Sequence, residues 1–419
     1  MKLIAITTER HYQGEAQGIE QVLRCGAYRV HLRKPTGSAQ EMRTLIEEID
    51  PQYHPRLVLH DHHALAQEYS LGGVHLNQRN PDAPTTTDEL LSLSRSCHSL
   101  EELTHEDGRY YAYSFLSPIY DSISKAGYRA AFDTATLHAA AADHQITSRT
   151  VALGGITSEA IPTLQQLGFG GIAMIGALWG TYPTDTDLAA LGERTSSIAQ
   201  QAKTPLSTAT FRLQLITQST PYYDDISGTR AALEGGCRWV QLRMKDATRD
   251  EIIATAKQLK PLCERYGALL LVDDHVEIAR ALNLDGVHLG QSDMPIDQAR
   301  SMLGEGFVIG GTANTFEHLA THRANGADYV GVGPFRYTTT KKNLSPTLGL
   351  EGYRTIIQAC DTAGIRLPIV AIGGITPDDV AQLMQQGIAG IAASGTILHT
   401  TDAAAASRAI LKSITSIEI

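Results

Sequence analysis

Charged residues in the second half of this chain could bind a phosphorylated substrate together with a metal ion. Arg243, Lys245 and Lys341 are three cations from two segments, and such groups form charge-assisted hydrogen bonds to a diphosphate. Asp274 and Asp293 would repel a diphosphate unless a divalent cation lay between, and Mg²⁺ held by carboxylates, substrate oxygens and water is the usual arrangement. Both aspartates also precede helical stretches, so helix capping is an additional role. The expected chemistry is Mg²⁺-assisted handling of a diphosphate.

Glycine and hydroxyl residues further along the same half indicate a second anion site. Gly373-Gly374 and Ser394-Gly395 would let backbone N–H groups approach an anion at the start of the following helices. Thr338 and Thr340 add hydroxyl donors beside Lys341. Two anion sites imply either a two-substrate reaction or one bis-phosphorylated ligand.

A series of motifs occurs twice in the chain, in the same order. His31-Leu32-Arg33 corresponds to Gln241-Leu242-Arg243, and Gly154-Gly155 corresponds to Gly373-Gly374. The first pair is 210 positions apart and the second pair 219, so the offset drifts only slowly. A repeat of this length is a whole domain and not a solenoid unit. We therefore expect a duplicated domain.

Short apolar runs alternate with helical stretches in both halves, which predicts parallel strands closed into a barrel. The predicted strands are 2–7, 28–32, 56–59, 73–76, 91–95, 111–116, 150–153 and 171–175 in the first half, and 212–217, 239–243, 268–273, 286–289, 308–312, 329–332, 368–372 and 390–393 in the second. The predicted helices of the second half include 251–266, 276–282, 296–303, 315–325, 350–363 and 377–386. The fold class is therefore α/β, with two tandem (β/α)₈ TIM barrels at 1–203 and 210–419. A doubly wound open sheet is the alternative fold.

The predicted barrel would bring the motifs together. Each motif follows the C-terminal end of a predicted strand, and TIM barrels place their active sites at those ends. The residues are far apart in sequence, but the fold would gather them around one mouth in each copy.

Composition limits the function classes. Hydrophobic residues make up 42% of the 419 residues, and the net charge is −10, which argues against an extended nucleic-acid surface. The five cysteines are scattered without metal-type spacing, as expected for reduced thiols. No segment has the roughly 20 apolar residues of a membrane span, and the N-terminus does not resemble a signal peptide. We expect a cytoplasmic protein with no nucleic-acid or membrane partner.

The second half closely resembles thiamine phosphate synthase. That family carries, in order, Q-[LF]-R-x-K, N-D, G-[IV]-H-[IL]-G-Q-x-D, a strand-five Ser, G-P-x-x-x-T-x-T-K and I-G-G-I, and this series spans nearly all of 211–400 here. The resemblance implies an enzyme that joins hydroxymethylpyrimidine diphosphate to thiazole phosphate, releasing pyrophosphate. Its chemistry is dissociative: a pyrimidine methylene cation forms and the thiazole nitrogen captures it.

The resemblance also implies roles for individual residues. Residues implied to hold the pyrimidine diphosphate are Gln241, Arg243, Lys245 and Lys341, and those implied to hold the thiazole phosphate are Thr338, Thr340, Gly374, Ser394 and Gly395. Asp274 and Asp293 would ligate Mg²⁺. Asp273 and Thr312 are also expected to bind substrate, and they stand where the family has Asn and the strand-five Ser. Met244 replaces a common Glu.

The first half lacks part of the diphosphate equipment. His31 replaces Gln241, Pro35 stands opposite Lys245 and Asn80 stands opposite Asp293. The residues matching the phosphate site of the second half are partly kept, namely Ser122, Ser124, Lys125, Gly155 and Gly176. This pattern indicates a one-substrate function on the thiazole.

The segment from Arg95 to Glu102 is similar to the R-S-x-H-S-L-E-E segment of thiazole tautomerases. On that analogy His98 is a general acid/base, which suits an imidazole near neutral pH. The alternatives are a catalytically silent barrel kept as an internal partner, and another phosphate-ligand role. Because single-domain relatives pair, the two copies could form an intramolecular pseudo-dimer, or the chain a homo-oligomer.

Two further interpretations apply to the whole chain. A non-catalytic, phosphate-binding regulator would not need Asp274, Asp293 and Lys341 together. A phosphosugar epimerase or isomerase shares the phosphate site of strands seven and eight but not the Thr-x-Thr-Lys segment. Neither half contains an ATP-binding P-loop, which argues against pyrimidine phosphorylation.

Overall fold

The computed structural model describes residues 1–84, 91–121, 129–180, 182, 187–203, 208–337 and 346–415. The chain divides into two compact units, one mainly of Met1–Thr204 and the other mainly of Pro205–Ile419. In the described residues each unit contains one closed barrel of eight strands, and all the strand pairs are parallel.

The first barrel follows the alternating order of strands and helices. Its strands are Lys2–Ile6 (β1), Arg29–Leu32 (β2), Leu57–Leu59 (β3), Gly73–Leu76 (β4), Ser92–Cys97 (β5), Tyr113–Leu116 (β6), Thr150–Leu153 (β7) and Gly171–Met174 (β8). Its helices are Glu15–Arg24 (α1), Ala39–Glu48 (α2), Ala64–Glu68 (α3), Leu100–Thr104 (α4), Thr134–Ala142 (α5), Ile161–Gln166 (α6), Gly176–Trp179 (α7) and Leu188–Ala202 (α8). Short 3₁₀ segments cover Pro51–Arg56 and Ser158–Ala160.

The second barrel repeats this order. Its strands are Leu213–Ile216 (β9), Trp239–Leu242 (β10), Leu269–Asp273 (β11), Gly286–Leu289 (β12), Val308–Ala313 (β13), Tyr329–Val332 (β14), Ile369–Ile372 (β15) and Gly390–Ala393 (β16). Its helices are Asp225–Glu234 (α9), Arg249–Arg265 (α10), Val276–Ala281 (α11), Ile296–Leu303 (α12), Phe316–Ala324 (α13), Gly349–Thr362 (α14), Pro377–Met384 (α15), Gly395–Leu398 (α16) and Ala403–Thr415 (α17), with a 3₁₀ segment at Thr208–Phe211.

The predicted barrels are confirmed, and every predicted strand is present with ends within two residues of the observed ones. The open-sheet alternative is wrong, because β1 pairs with β8 and β9 pairs with β16, which closes both sheets. Among the described residues, no helix combines the length and hydropathy needed to cross a membrane.

The strands are short and buried on both faces, as parallel strands covered by helices must be. Every residue of β2, β4, β10 and β12 is buried. Helices α2 and α10, which follow the second strand of each barrel, begin with the same capping box, formed by Ser38 with Glu41 and by Thr248 with Glu251. The helix start that fixes the loop after this strand is therefore the same in both copies.

Strand register places the sequence motifs on one rim of each barrel. In the second barrel Leu242 pairs with Val272 and Asp273 pairs with His288, so the ends of β10, β11 and β12 are level. Ile372 pairs with Ala392, which brings the ends of β15 and β16 together in the same way. Each barrel thus presents its loops after the strands at a single mouth.

Candidate active site

A hydrogen-bonded group at the ends of β10 and β11 forms the first part of the second mouth. Gln241, which is buried, donates from Nε2 to Oδ1 of Asp273 at 2.5 Å. Arg243 Nε lies 3.2 Å from Oδ2 of the same carboxylate, and both side chains of this ion pair are largely buried. The backbone N–H of Arg243 donates to Thr217 Oγ1 at 3.0 Å. Asp273 therefore orients both Gln241 and Arg243 at the rim.

Asp274 and Asp293 form a carboxyl pair beside this group. The backbone of Asp274 is left-handed with φ of 65°, and its side chain lies within hydrogen-bond reach of Asp293. The pKa of Asp274 is raised to about 7, first by loss of water around the carboxyl and then by the charges of Asp273 and Asp293.

The donor set of this rim fits a divalent cation. Asp293 is anchored because Gly290 donates its backbone N–H to Oδ2 at 2.6 Å. Two carboxyl groups in contact need either a shared proton or a cation between them, and oxygen ligands suit Mg²⁺. Of the residues predicted to ligate Mg²⁺, both Asp274 and Asp293 thus lie together, and Asp273 adds a third carboxylate that the sequence interpretation assigned to substrate.

The glycine turns after β15 and β16 form the second part of this mouth. Gly373 and Gly374 have φ of 90° and 68°, which side chains rarely adopt, and a Cβ on Gly374 would lie 2.6 Å from Arg336 Cγ. Thr396 Oγ1 donates to Ile375 O at 2.5 Å and joins the two turns. Ser394 Oγ donates to Gln218 Oε1 at 3.0 Å. The structure therefore brings Gly374, Ser394 and Gly395 together, as their strand register requires.

Arg336 was not predicted and holds this turn in place. Its guanidinium binds Asp379 through two contacts of 2.6 and 2.7 Å and also donates to Gly374 O at 3.2 Å. Asp379 in turn accepts from Thr376 in the capping box of α15. In the sequence, Arg336 is only a charged residue two positions after Pro334, and nothing there indicates that its partner is Asp379.

The remaining predicted residues of the second half divide into three groups. Thr312 lies on β13, where its hydroxyl is 2.9 Å from His288 Nε2 inside the barrel. Lys245 follows β10 and is exposed. Thr338, Thr340 and Lys341 lie outside the described residues, as do Ser122, Ser124 and Lys125 of the first half.

The first barrel has histidines where the second has Gln241 and Asp273. His31 Nδ1 lies 2.8 Å from His60 Nε2, and His31 Nε2 lies 2.8 Å from Tyr113 OH. His75 contacts Ser94 and Ser96 through its two nitrogens at 2.9 and 2.8 Å. Burial holds the pKa of all three imidazoles below the usual range, that of His75 at about 3. The cluster is a neutral hydrogen-bonded network.

The three histidines have nitrogen atoms within 4.8 Å of one another, yet their ring geometry is unsuited to a shared metal ion. The rings of His60 and His75 are stacked, with centroids 4.2 Å apart and planes 20° apart. An imidazole coordinates a metal in its ring plane, so two stacked rings cannot direct lone pairs at one ion. The nitrogens of His31 and His75 are also engaged with other side chains.

Asp61 in the first barrel contacts a guanidinium where Asp274 contacts a carboxyl group. Arg79 Nη2 and Asn80 Nδ2 lie 3.1 and 3.0 Å from Asp61 Oδ1. Asn77 Oδ1 accepts the backbone N–H groups of Arg79 and Asn80, which fixes the turn that carries them. The left-handed residue of the preceding loop is His62, with φ of 58°, so the backbone turns one residue later than at Asp274.

His98 lies at the end of β5 and lines a cavity of about 570 Å³. Its Nδ1 is 3.0 Å from the carbonyl oxygen of Ser117, and its backbone N–H donates to Glu102 Oε2 at 2.6 Å. A carbonyl oxygen can only accept, so Nδ1 carries the proton and Nε2 has the free lone pair. Asn314 at the matching position of the second barrel makes the same contact, donating to Gly333 O at 3.0 Å.

The cavity at the first mouth is lined by apolar, basic and acidic side chains. Ile6, Phe115 and Ala173 are among the apolar residues, and Glu102 and Asp107 are the acidic ones. The cationic side chains that line the cavity are Arg33, Arg79, Arg95 and Arg109, and its other lining residues include His60, His98, Gly155 and Gly176. Arg33 is paired with Glu9 at 2.8 Å, so it does not reproduce the Arg243–Asp273 pair.

Comparisons with known proteins agree with this architecture. The family model described as thiamine monophosphate synthase matches residues 3–178 and 213–397. Thiamine-phosphate synthase of Bacteroides fragilis is 58% identical over 199 residues, covering 48% of this chain and 98% of that protein. The Bacteroides thetaiotaomicron synthase is 59% identical over 199 residues, covering 48% of this chain and 95% of that protein.

Among solved structures, thiamine phosphate pyrophosphorylase from Pyrococcus furiosus is 32% identical, with a TM-score of 0.45, and covers 50% of this chain and 98% of that one. The family model covers most of the sequence in two segments, one in each barrel. The chain is therefore a transferase built on two TIM barrels. It belongs to the thiamine monophosphate synthase family.

Proposed function

We propose that the second barrel, at 210–419, joins hydroxymethylpyrimidine diphosphate to thiazole phosphate and releases pyrophosphate. The observation that carries this proposal is the rim on which Arg243, Asp273, Asp274 and Asp293 are in contact. Such a group suits a leaving diphosphate with a bridging cation. The first barrel lacks this combination, because Asn80 replaces the second metal-binding carboxylate.

The residues of this rim would have different roles in binding the metal ion and the pyrimidine diphosphate. Asp274 and Asp293 would hold Mg²⁺, which when bound neutralises charge on the departing pyrophosphate. Arg243 and Lys245 would bind the diphosphate oxygens, together with Lys341. Asp273 orients Arg243, and Gln241 has a buried Oε1 without a partner among the described residues, which would accept a hydrogen bond from the pyrimidine amino group.

The opposite turns would bind the thiazole phosphate. Gly374 and Gly395 would present backbone N–H groups, and Ser394, Thr338 and Thr340 would add hydroxyl donors. The C–O bond to pyrophosphate breaks with its electron pair on oxygen, and the thiazole nitrogen lone pair forms the new C–N bond. No proton needs to be removed in this step.

Pyrophosphate release from the purified chain with both substrates and Mg²⁺ tests this proposal. Asp293→Asn should reduce the rate about 100-fold or more, because one ligand of the cation is lost. Asp361→Asn is the matched control. Asp361 lies at the C-terminal end of α14, away from the mouth, where its exposed carboxylate pairs with Arg366. A rate that Asp293→Asn leaves unchanged would contradict the metal assignment.

For the first barrel, at 1–203, we propose thiazole tautomerase activity. His98 Nε2 would accept a C–H proton of a non-aromatic thiazole carboxylate phosphate and return a proton at another ring position, so that the ring becomes aromatic with no change in composition. The hydrogen bond to Ser117 O supports this role because it fixes the tautomer in which Nε2 is basic.

The second barrel supplies the substitution that tests His98. His98→Asn should keep the contact with Ser117 O, as Asn314 keeps the contact with Gly333 O, while removing Nε2. We expect loss of tautomer conversion, followed by NMR of the thiazole, with unchanged pyrophosphate release. An unchanged conversion rate would eliminate the catalytic role of His98, whereas no conversion by the native chain would favour a catalytically silent barrel.

The other expectations stay predictions. They are the cytoplasmic location, the domain limits, the pairing of barrels within or between chains, and the absence of a nucleic-acid partner.

A further inference from the structure

The surroundings of Asp61 and Asp274 differ in a way that bears on metal use. In both barrels the carboxyl group after the third strand contacts the turn after the fourth strand. Asp274 meets the carboxyl group of Asp293 there, whereas Asp61 meets the amide of Asn80 and the guanidinium of Arg79. Arg79 stands opposite Ser292 in the repeat, so the cation is specific to the first copy.

The charges on the two rims balance in the same way. Two carboxylates with a dication sum to zero, and one carboxylate with a guanidinium also sums to zero. We propose that Arg79 takes the place of the divalent cation in the first barrel, and that this barrel binds an anionic group of its ligand through Arg79 without metal. The proposal rests on the proposed function only in that the first mouth binds a phosphorylated or carboxylated compound.

The geometry around Arg79 suits this role. Asp61 is 7% exposed, and its Oδ2 has no hydrogen-bond partner in the described part of the chain, so the carboxylate sits as a buried counter-charge behind the guanidinium. The Arg79 side chain is 43% exposed and lines the 570 Å³ cavity. A guanidinium has five N–H donors, and the Arg79 guanidinium lies beside a cavity that His98 and Gly155 also line.

The turn that carries Arg79 is built to hold it at the rim. Asn77 accepts the N–H groups of Arg79 and Asn80 and also donates from Nδ2 to His60 O at 3.0 Å. Asn80 donates to the same carbonyl at 3.0 Å. The side-chain amides of Asn77 and Asn80 thus attach the turn to the end of β3, and this fixes the backbone position from which the Arg79 side chain extends.

Ligand binding with and without metal tests the proposal. The probe is thiazole carboxylate phosphate, titrated calorimetrically into the full chain carrying Asp293→Asn and Gly374→Ala, which weaken the second mouth. Affinity should be the same within about twofold in EDTA and in Mg²⁺. Arg79→Ser should weaken binding about tenfold or more, since a charge-assisted hydrogen bond is lost. Arg79→Lys should restore part of the affinity.

Arg43→Ser is the matched control, because Arg43 is a similarly exposed arginine paired with Glu68 on the outer helices α2 and α3. It should leave the affinity unchanged. Binding that is lost in EDTA, or that Arg79→Ser leaves intact, would overturn the proposal.

A second measurement does not depend on the thiazole ligand. In the Asp293→Asn background, Arg79→Ser with Asn80→Asp recreates the Ser-Asp pair of the second copy, and Mn²⁺ binding followed by electron paramagnetic resonance should gain one site per chain. A folded double variant without that site would count against the charge replacement. If the native chain binds no thiazole in either medium, the tautomerase proposal fails, and the Mn²⁺ count still decides the role of Arg79.

Discussion

The two mouths of this protein share a scaffold and differ in the groups placed on it. Both keep the left-handed glycines Gly155 and Gly374 after the seventh strand, and both hold the loop after the sixth strand through a side chain at the end of the fifth. The second mouth contains the carboxyl groups of Asp273, Asp274 and Asp293, whereas the first contains the imidazoles of His31 and His60 and the guanidinium of Arg79. The two copies thus share the contacts that support the backbone at the mouth, while the charged groups placed there differ.

The largest expected effect concerns a lysine that only the first copy has. Lys34 is fully buried and binds Glu15 at 2.5 Å and the carbonyls of Thr8 and Arg10 at 2.8 Å, whereas Met244 occupies the matching position. Burial raises the pKa of Glu15 and lowers the pKa of Lys34, so desolvation outweighs their attraction. Lys34→Met should destabilise the first barrel by about 3–5 kcal/mol, because it leaves a buried carboxylate unpaired.

Hydrogen–deuterium exchange measured by mass spectrometry can assign this loss to the first barrel. Peptides of β1, α1 and β2 should exchange faster, while those of the second barrel should not change. Adding Glu15→Gln to Lys34→Met should recover part of the protection. Equal exchange in the native chain and Lys34→Met would mean that the pair contributes little to folding.

An intermediate effect is expected from the shared glycines. Gly374→Ala forces a side chain into a left-handed conformation against Arg336, so the KM for thiazole phosphate should rise about 10-fold with a smaller change for the pyrimidine diphosphate. Gly155→Ala is the matched control, since it changes the same position of the other copy. Steady-state pyrophosphate release measures both, and equal effects of the two variants would break the assignment of synthesis to the second mouth.

The smallest effect is a pH dependence limited to the second mouth. The pKa of Asp274 is raised to about 7 without metal, so below that pH a proton must leave before a cation binds. Mn²⁺ affinity should therefore fall as pH decreases through 7, by at most about tenfold per pH unit, and level off above 7. Asp273→Asn removes one neighbouring charge and should move this transition to lower pH.

Calorimetric titration of Mn²⁺ between pH 6 and pH 8 follows this transition, with Asp361→Asn as the unaffected control. An affinity that is constant across this range would show that the carboxylates are not coupled as their contact indicates.

The fold could be predicted from sequence because parallel barrel strands leave a strong local pattern. Strands such as Gly286–Leu289 are short apolar runs between helical stretches, and the repeat gave each assignment twice. The rim residues Asp274 and Asp293 could also be predicted, since a strand end in a barrel fixes which mouth a side chain joins. These inferences need only the order of elements.

Partners that depend on which way a side chain turns could not be predicted. Lys34 comes directly after the His31-Leu32-Arg33 motif, yet it is buried against Glu15 on the preceding helix α1. Arg79 and Asp61 are 18 residues apart, and the alternation of strands carries no information about their contact. The pKa of Asp274 is raised by burial and by the charges of Asp273 and Asp293, and spacing along the chain does not reveal this environment.

His98 and Asn314 make matching hydrogen bonds, and this has a consequence for how the residue at this position can change during evolution. Codons for asparagine and histidine differ by a single nucleotide, and either residue can brace the neighbouring carbonyl. An imidazole can therefore be gained or lost at this position by one nucleotide change while the hydrogen bond to the carbonyl is kept, so the proton-transfer role proposed for His98 could arise from a residue that is only structural.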